Sequence, residues 1–344
     1  MIFKKEELLP CLEKLKPFIS KKDSIPILHN ISFTGDNITA FNGSVGSLIS
    51  FDTKGINCLF PFDKFYIFIK GASSEIKIKI VNDVAFLTSG KKSSEIPILD
   101  CKDFPSFQEF IDLDFETIED NFITAIKNIF AFSSKKSISE VLTGVSINKG
   151  ECFATDGMRI AKHSLQENKY LSDKNFIIIP EFCKRIVNLK AIDGIFIDET
   201  KIVLLEDDTL IFGNLMEGEF PNISKYFENI PTDFIELPNS DLKKSLITIG
   251  DFTGEVLDEA ICSIKFGKGI EVKYEGKVSN INEIFSLGKK SKNYPVGEYK
   301  VNPYHFSIML NFCDKFVFIK DAERNIIYAE STDGVFKAVL ALAS

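Results

Sequence analysis

The chain has 344 residues and a net charge of −8; 44% are apolar and 26% charged, enough to build sizeable cores and too apolar for a disordered polymer. No run approaches the roughly 18 apolar residues of a membrane span, and the start, Met1-Ile2-Phe3-Lys4-Lys5-Glu6, lacks the apolar stretch of a secretion signal. A cytoplasmic protein with no membrane partner is expected, and the acid excess argues against a protein whose whole surface grips nucleic acid.

In chain order, the first predicted element is an amphipathic helix. Leu8, Cys11, Leu12, Leu15 and Ile19 fall at helical spacing, Glu7, Glu13, Lys14 and Lys16 lie mostly off that stripe, and Pro17 ends it. Strands follow at Ile31 to Phe33 and Ile38 to Phe41, joined by the turn Gly35-Asp36-Asn37. Cys58-Leu59-Phe60-Pro61 then reads as an apolar strand running into a short helix, Phe62 to Ile69. The proline that opens it loses nothing by lacking an N–H there. Ile76 to Ile80 alternates as a strand, and Asp103-Phe104-Pro105 forms an aromatic-proline corner.

The same order returns twice. Phe122, Ile126, Ile129 and Phe130 repeat the helical stripe with Lys127 off it, and strands at Val145 to Ile147 and Cys152 to Ala154 flank Asn148-Lys149-Gly150. Ile177-Ile178-Ile179-Pro180 opens a helix over Phe182 to Leu189, with a strand at Ile195 to Ile197 and a second corner at Glu219-Phe220-Pro221. In the third copy Leu242, Leu246 and Ile249 make the stripe beside Lys243 and Lys244. Strands at Ile261 to Phe266 and Ile270 to Tyr274 flank Gly267-Lys268-Gly269; Lys300-Val301-Asn302-Pro303 opens a helix over Tyr304 to Phe312, and Phe316 to Ile319 is a strand. The prolines stand 180 − 61 = 119 and 303 − 180 = 123 residues apart, and the corners 220 − 104 = 116. A period this long marks repeated domains rather than a solenoid. The expected fold is α+β: three domains, 1–116, 117–233 and 234–344, each with two helices packed on antiparallel sheet.

Little in the chain supports catalysis. The seven cysteines are scattered singly, without a CxxC pair, and read as free thiols; His29, His163 and His305 show no metal spacing. There is no Gly-rich phosphate loop and no GxSxG nucleophile, so no cofactor or metal is expected. Glu206-Asp207-Asp208 between apolar strands is most simply a hairpin turn; its rival, a magnesium site of an enzyme, would show as nuclease activity lost on changing Asp207 and Asp208.

Three further segments, in this order and within a threefold repeat, carry a resemblance. They are Ser24-Ile25-Pro26-Ile27-Leu28-His29-Asn30-Ile31; Leu142-Thr143-Gly144 followed by Ala154-Thr155-Asp156-Gly157-Met158-Arg159-Ile160-Ala161; and Gly218-Glu219-Phe220-Pro221-Asn222 before Ile230-Pro231. With them the chain resembles, from end to end, the bacterial DNA polymerase III beta subunit, the DNA sliding clamp. Heavy use of Phe, Ile, Lys and Asn with no Trp is the composition of an AT-rich coding sequence, such as a phage's.

The resemblance implies a head-to-tail homodimer, a closed ring of six domains with helices lining the hole, that holds duplex DNA without sequence preference. It implies a non-catalytic processivity factor whose partners are a DNA polymerase and a clamp-loader ATPase. The alternative is a clamp-like ring that recruits repair or transcription factors instead of a replicase. By resemblance, Lys14, Lys22, Lys127, Lys184, Arg185, Lys243 and Lys244 face DNA; as ordinary residues they would be solvated helix faces. A pocket for partner peptides would be walled by Leu142, Thr155, Gly157, Met158, Arg159, Ile160, Pro231, Phe234, Val339, Leu340, Ala341 and Leu342, with Asp156 structural. Met158 stands where the family often has histidine, and the chain ends Leu340-Ala341-Leu342-Ala343-Ser344 in place of a Met-Pro-Met-Arg type of tail. Phe104, Ile284 and Phe285 match dimer-interface positions, with plain core packing as the other reading.

Overall fold

The computed structural model describes residues 1–21, 25–119, 121–165, 168–253, 260–275, 280–286 and 294–343. The first copy runs β1 (Ile2–Lys4), α1 (Lys5–Leu15), β2 (Asn30–Thr34), β3 (Asn37–Phe41), β4 (Val45–Ser50), β5 (Cys58–Pro61), α2 (Phe62–Lys70), β6 (Glu75–Val81), β7 (Val84–Ser89) and β8 (Lys92–Pro97). The second has α3 (Asn121–Phe130), β9 (Val145–Asn148), β10 (Glu151–Thr155), β11 (Arg159–Ser164), β12 (Asn175–Ile178), α4 (Pro180–Ile186), β13 (Gly194–Ile197), β14 (Lys201–Glu206) and β15 (Thr209–Asn214). The third follows with β16 (Ile235–Glu236), α5 (Asn239–Thr253), β17 (Cys262–Phe266), β18 (Gly269–Glu275), β19 (Asn280–Ser286), β20 (Gly297–Val301), α6 (Pro303–Met309), β21 (Lys315–Lys320), β22 (Asn325–Glu330) and β23 (Phe336–Ala341).

The helices form where the apolar stripes predict them. Leu8, Leu12 and Leu15 of α1 are buried, as are Phe122, Ile126 and Ile129 of α3 and Leu242, Leu246 and Ile249 of α5. Pro180 and Pro303 occupy the first turn of α4 and α6, while Pro61 is the residue just before α2. In each copy the two helices pack on each other, α1 on α2, α3 on α4 and α5 on α6. Two features depart from the simple pattern: α1 continues through Pro10, and α4 and α6 stop at Ile186 and Met309, short of Leu189 and Phe312.

The chain divides into two compact units, Met1–Asp120 with Asn188–Leu215, and Asn121–Val187 with Met216–Ser344. This division crosses the repeat because strands of neighbouring copies pair. In the first unit β4 pairs antiparallel with β15, giving a seven-stranded sheet in the order β13-β14-β15-β4-β3-β2-β5. In the second, β11 pairs antiparallel with β23 in an eight-stranded sheet, β12-β9-β10-β11-β23-β22-β21-β16. Two four-stranded sheets remain, β1-β6-β7-β8 in the first unit and β19-β18-β17-β20 in the second.

Each pairing of copies is covered by the segment that carries the aromatic-proline corner. At the first, Leu48 lies opposite Leu210, and Phe107, Phe110, Leu113 and Phe115 pack over them with Phe212. A Cβ on Gly46 would run into the Phe212 ring and the Ala40 carbonyl, so this close crossing requires glycine. At the second, Ile160 lies opposite Val339 beneath Phe220, Ile223, Phe227, Ile230 and Phe234.

Phe104 is only 7% exposed and packs with Leu28 and Leu59 inside its own chain. The structure therefore gives it the core role and removes it from the expected dimer contacts.

Candidate functional site

The turn between β10 and β11 is the most tightly specified part of the second unit. The Asp156 carboxylate accepts from the backbone N–H of Met158 (3.0 Å) and Arg159 (2.7 Å) through Oδ1, and from Arg159 Nε (2.8 Å) and Nη2 (2.6 Å) through Oδ2. Thr155 Oγ1 donates to the Arg159 carbonyl (2.7 Å) and accepts from Gly157 N–H (3.1 Å). Gly157 sits at φ +91°, where L side chains are strained, although a Cβ there would touch nothing. Asp156 is structural, as expected: an Asx turn and an ion pair at once.

Arg159 is turned inward. It is 5% exposed, its charge is met by Asp156, and its guanidinium lies over the Phe132 ring at 5.2 Å. His305, from α6 of the third copy, brings Nε2 to 3.9 Å from Asp156 Oδ2, so the cluster joins two copies. The sequence reading missed this histidine, because nothing in its spacing links it to a turn some 150 residues earlier (305 − 156 = 149).

Alternation along β23 sorts the other expected pocket residues. Phe336, Ala338 and Leu340 share the face on which Phe132 packs against Phe336; Val339 shares the opposite face with Ile160 and Tyr328. Leu340 is 1% exposed and packs in the core, and Thr155 is likewise buried. What remains open is Met158, 50% exposed, beside Gly157. The Met158 carbonyl accepts from Ala341 N–H (2.9 Å), which fixes the turn against the end of β23. Leu142, Phe234 and Ala341 are half-buried, Pro231 is exposed, and Ile160, Val339 and Leu342 are nearly covered. The Tyr328 phenol, buried beside Glu330, is pushed well above its ordinary value and stays neutral.

The expected DNA-facing cations have unequal surroundings. Lys14 Nζ lies 3.3 Å from Thr209 Oγ1 and 3.8 Å from Asp208 Oδ1, so its charge is partly met by the β14–β15 turn. Lys244 approaches Asp241 at 3.8 Å. Lys127 and Lys184 are exposed, Lys243 and Arg185 half-buried; burial lowers the Arg185 pKa while Glu181 raises it. Lys22 lies outside the described residues.

The acidic run Glu206-Asp207-Asp208 spans the end of β14 and the β14–β15 hairpin turn, with the Glu206 and Asp208 carboxylates engaged. Glu206 accepts from Lys190 N–H (3.0 Å), and Asp207, at φ +53°, donates its N–H to Asp193 (2.7 Å). Among the described residues no three His, Cys, Asp or Glu side chains come together as a metal site. Cys58, Cys152, Cys183, Cys262 and Cys313 are buried thiols, with Cys58 and Cys262 pushed up to about 12 by burial.

Each four-stranded sheet has two edge strands, β1 and β8 in one and β19 and β20 in the other. On β19, Ile284 is 74% exposed and Phe285 half-buried.

The architecture is one of repeated helix pairs and antiparallel sheets, with strands of successive copies joined edge to edge. No family model matches the chain. It is 24% identical over 325 residues to the beta sliding clamp of Chlamydia pneumoniae, covering 83% of this chain and 88% of that protein. Its fold matches the DNA polymerase beta subunit of Streptococcus pyogenes with a TM-score of 0.85 at 17% identity, over 99% of both chains. It also matches a Helicobacter pylori beta clamp bound to a DNA ligase peptide, with a TM-score of 0.81 at 16% identity over 100% of this chain and 99% of that one. The chain is thus similar to bacterial beta sliding clamps along most of its length and shares the fold of the solved beta subunits.

Proposed function

We propose that this chain is a DNA sliding clamp: it encircles duplex DNA and tethers a replicative polymerase so that the enzyme does not leave its template. The observation that carries the reading, beside the likeness to beta sliding clamps, is an unfinished pairing rule. The strand after the second hairpin turn of one copy joins the last strand of the next, β4 to β15 and β11 to β23. By the same rule β19 of the third copy needs the equivalent of β15 and β23, which is β8 of the first. Among the described residues neither has that partner within the chain, and a second copy supplies both. The interface is head to tail, closes on a twofold axis, and leaves no open edge at β8 or β19.

A ring of three clamp domains per chain, bounded at 1–116, 117–233 and 234–344, holds DNA by topology and needs only loose contact with phosphates. A net charge of −8 is compatible with that, because cations are required only on the helices that line the hole. The clamp makes and breaks no bonds itself; opening the ring is left to an ATP-driven loader.

Partners dock where Met158 and Gly157 stand exposed above the turn held by Asp156. Methionine offers an adaptable apolar surface to a short peptide with aliphatic anchors, and Leu142, Pro231 and Phe234 flank it. A fold neighbour crystallised with a DNA ligase peptide supports repair enzymes as further users of such a site. The test is primer extension on a primed circle with a polymerase and loader from the same source. Long products that shorten with Met158→Asp, while the chain stays folded and dimeric, support the reading; full-length products with that variant overturn the docking site.

A further inference from the structure

Around α1 and α2 the cations differ sharply in what holds them. Lys14 is turned to Asp208, and Lys5 Nζ donates to the carbonyls of Lys70 and Ala72, spending its charge on the end of α2. Lys64 follows Asp63 directly. Lys16 and Lys70 are different: both side chains are exposed, and among the described residues neither has a carboxylate within ion-pair distance. Both are instead held on one aromatic ring. Lys16 Nζ is 5.0 Å and Lys70 Nζ 5.8 Å from the centre of Tyr66, which is itself stacked on Phe62 at 5.4 Å.

The sequence explains the arrangement. Phe62, Tyr66 and Lys70 follow at four-residue steps along α2, so they form one ridge, and Lys16 reaches the ring from the end of α1, against which α2 packs. Phe62 is buried and anchors the row; Tyr66 is half-buried, with its ring as a platform. A lysine lying on an aromatic face keeps its charge and its donors while losing rotamer freedom, so less entropy remains to be lost when an anion arrives. The neighbouring acids are Glu13, one turn before Lys16, and Asp63, one turn before Tyr66.

We infer that Lys16, Tyr66 and Lys70 form the rung through which the first copy touches the phosphates of duplex DNA, in place of Lys14. The inference rests on the clamp reading above. Two ammonium groups take phosphate oxygens. None of these contacts reads a base, which is what a sliding protein requires.

Binding of the dimer to a short open-ended duplex, followed by fluorescence anisotropy as salt is raised, tests it. Each phosphate contact contributes about 0.9 to the slope of log K against log salt, and the dimer carries the rung twice, so Lys16→Gln with Lys70→Gln should lower the slope by about 3.6. Tyr66→Leu keeps both charges; the slope should stay while affinity falls about threefold, from loss of the two ring contacts. Lys174, which lies over the Tyr170 ring just before β12 and belongs to none of the six helices, is the control, and Lys174→Gln should leave slope and affinity alone. A slope unchanged in the double variant, or lowered as much by Lys174→Gln, overturns the rung. Retention of the unaltered protein on closed circles is measured separately; its failure would contradict encirclement itself, whatever the slopes show.

Discussion

Replacing Asp156 with alanine removes, in one step, both acceptors that shape the β10–β11 turn and the counter-charge of a buried guanidinium. The side chains of Arg159 and Asp156 are 5% and 13% exposed, so solvent cannot take over the charge. Truncating one partner of a buried ion pair costs about 3–5 kcal/mol, mostly because the other charge stays behind unmet. Asp156→Asn keeps Oδ1 as acceptor for Met158 and Arg159 N–H but sets an NH2 group against Arg159 Nε and Nη2, losing the charge and both guanidinium bonds, so a cost in the same range of about 3–5 kcal/mol is expected. Asp156→Ala combined with Arg159→Leu should recover part of the loss, since it removes the stranded cation along with its partner. Urea unfolding followed by circular dichroism, with the second unit's transition resolved, measures all three. An Asp156→Ala protein within about 1 kcal/mol of the parent, or a double variant less stable than Asp156→Ala alone, would refute the buried-pair reasoning.

Three other outcomes follow from the same geometry. Ile284→Lys on the exposed edge strand β19 should break the dimer: burying an isoleucine contributes about 1.5–3 kcal/mol, twice per ring, so dimer dissociation should strengthen by about 10²- to 10⁴-fold, read by sedimentation against concentration. Phe104→Ala should do the opposite, costing about 3–5 kcal/mol of folding stability without changing the dimerisation of the folded chain. Burial lowers the His163 pKa, with the Ser164 carbonyl and Asp333 opposing, so the unfolded chain takes the proton more readily than the folded one. The resulting stability is present above the ordinary histidine value of about 6.5 and is lost as pH falls below it; melting temperatures between pH 8 and 5 should drop less for His163→Gln than for the parent.

The repeat was legible because its markers are local: a proline at a helix start, a stripe at helical spacing and a Gly or Asn turn each announce themselves within a few residues. The joins between copies were not, since β4 with β15 and β11 with β23 unite residues far apart in sequence, and alternation says which residues share a face but not which strand lies beside it. The same limit explains the site. The Thr155-Asp156-Gly157 turn was readable as a turn, yet only tertiary packing turned Arg159 and Leu340 inward, brought His305 to Asp156 and left Met158 outside. Phe104 and Ile284 were indistinguishable as apolar residues; their positions under a linker and on a sheet edge separated them.

Encirclement is tested most directly by loading the dimer onto nicked circular DNA, isolating the complex, and cutting the circle once. Release within the time needed to slide off an end, with retention on the uncut circle, is the expected result. Protein that stays equally long on cut and uncut DNA, or a chain that is monomeric at every concentration, would contradict it.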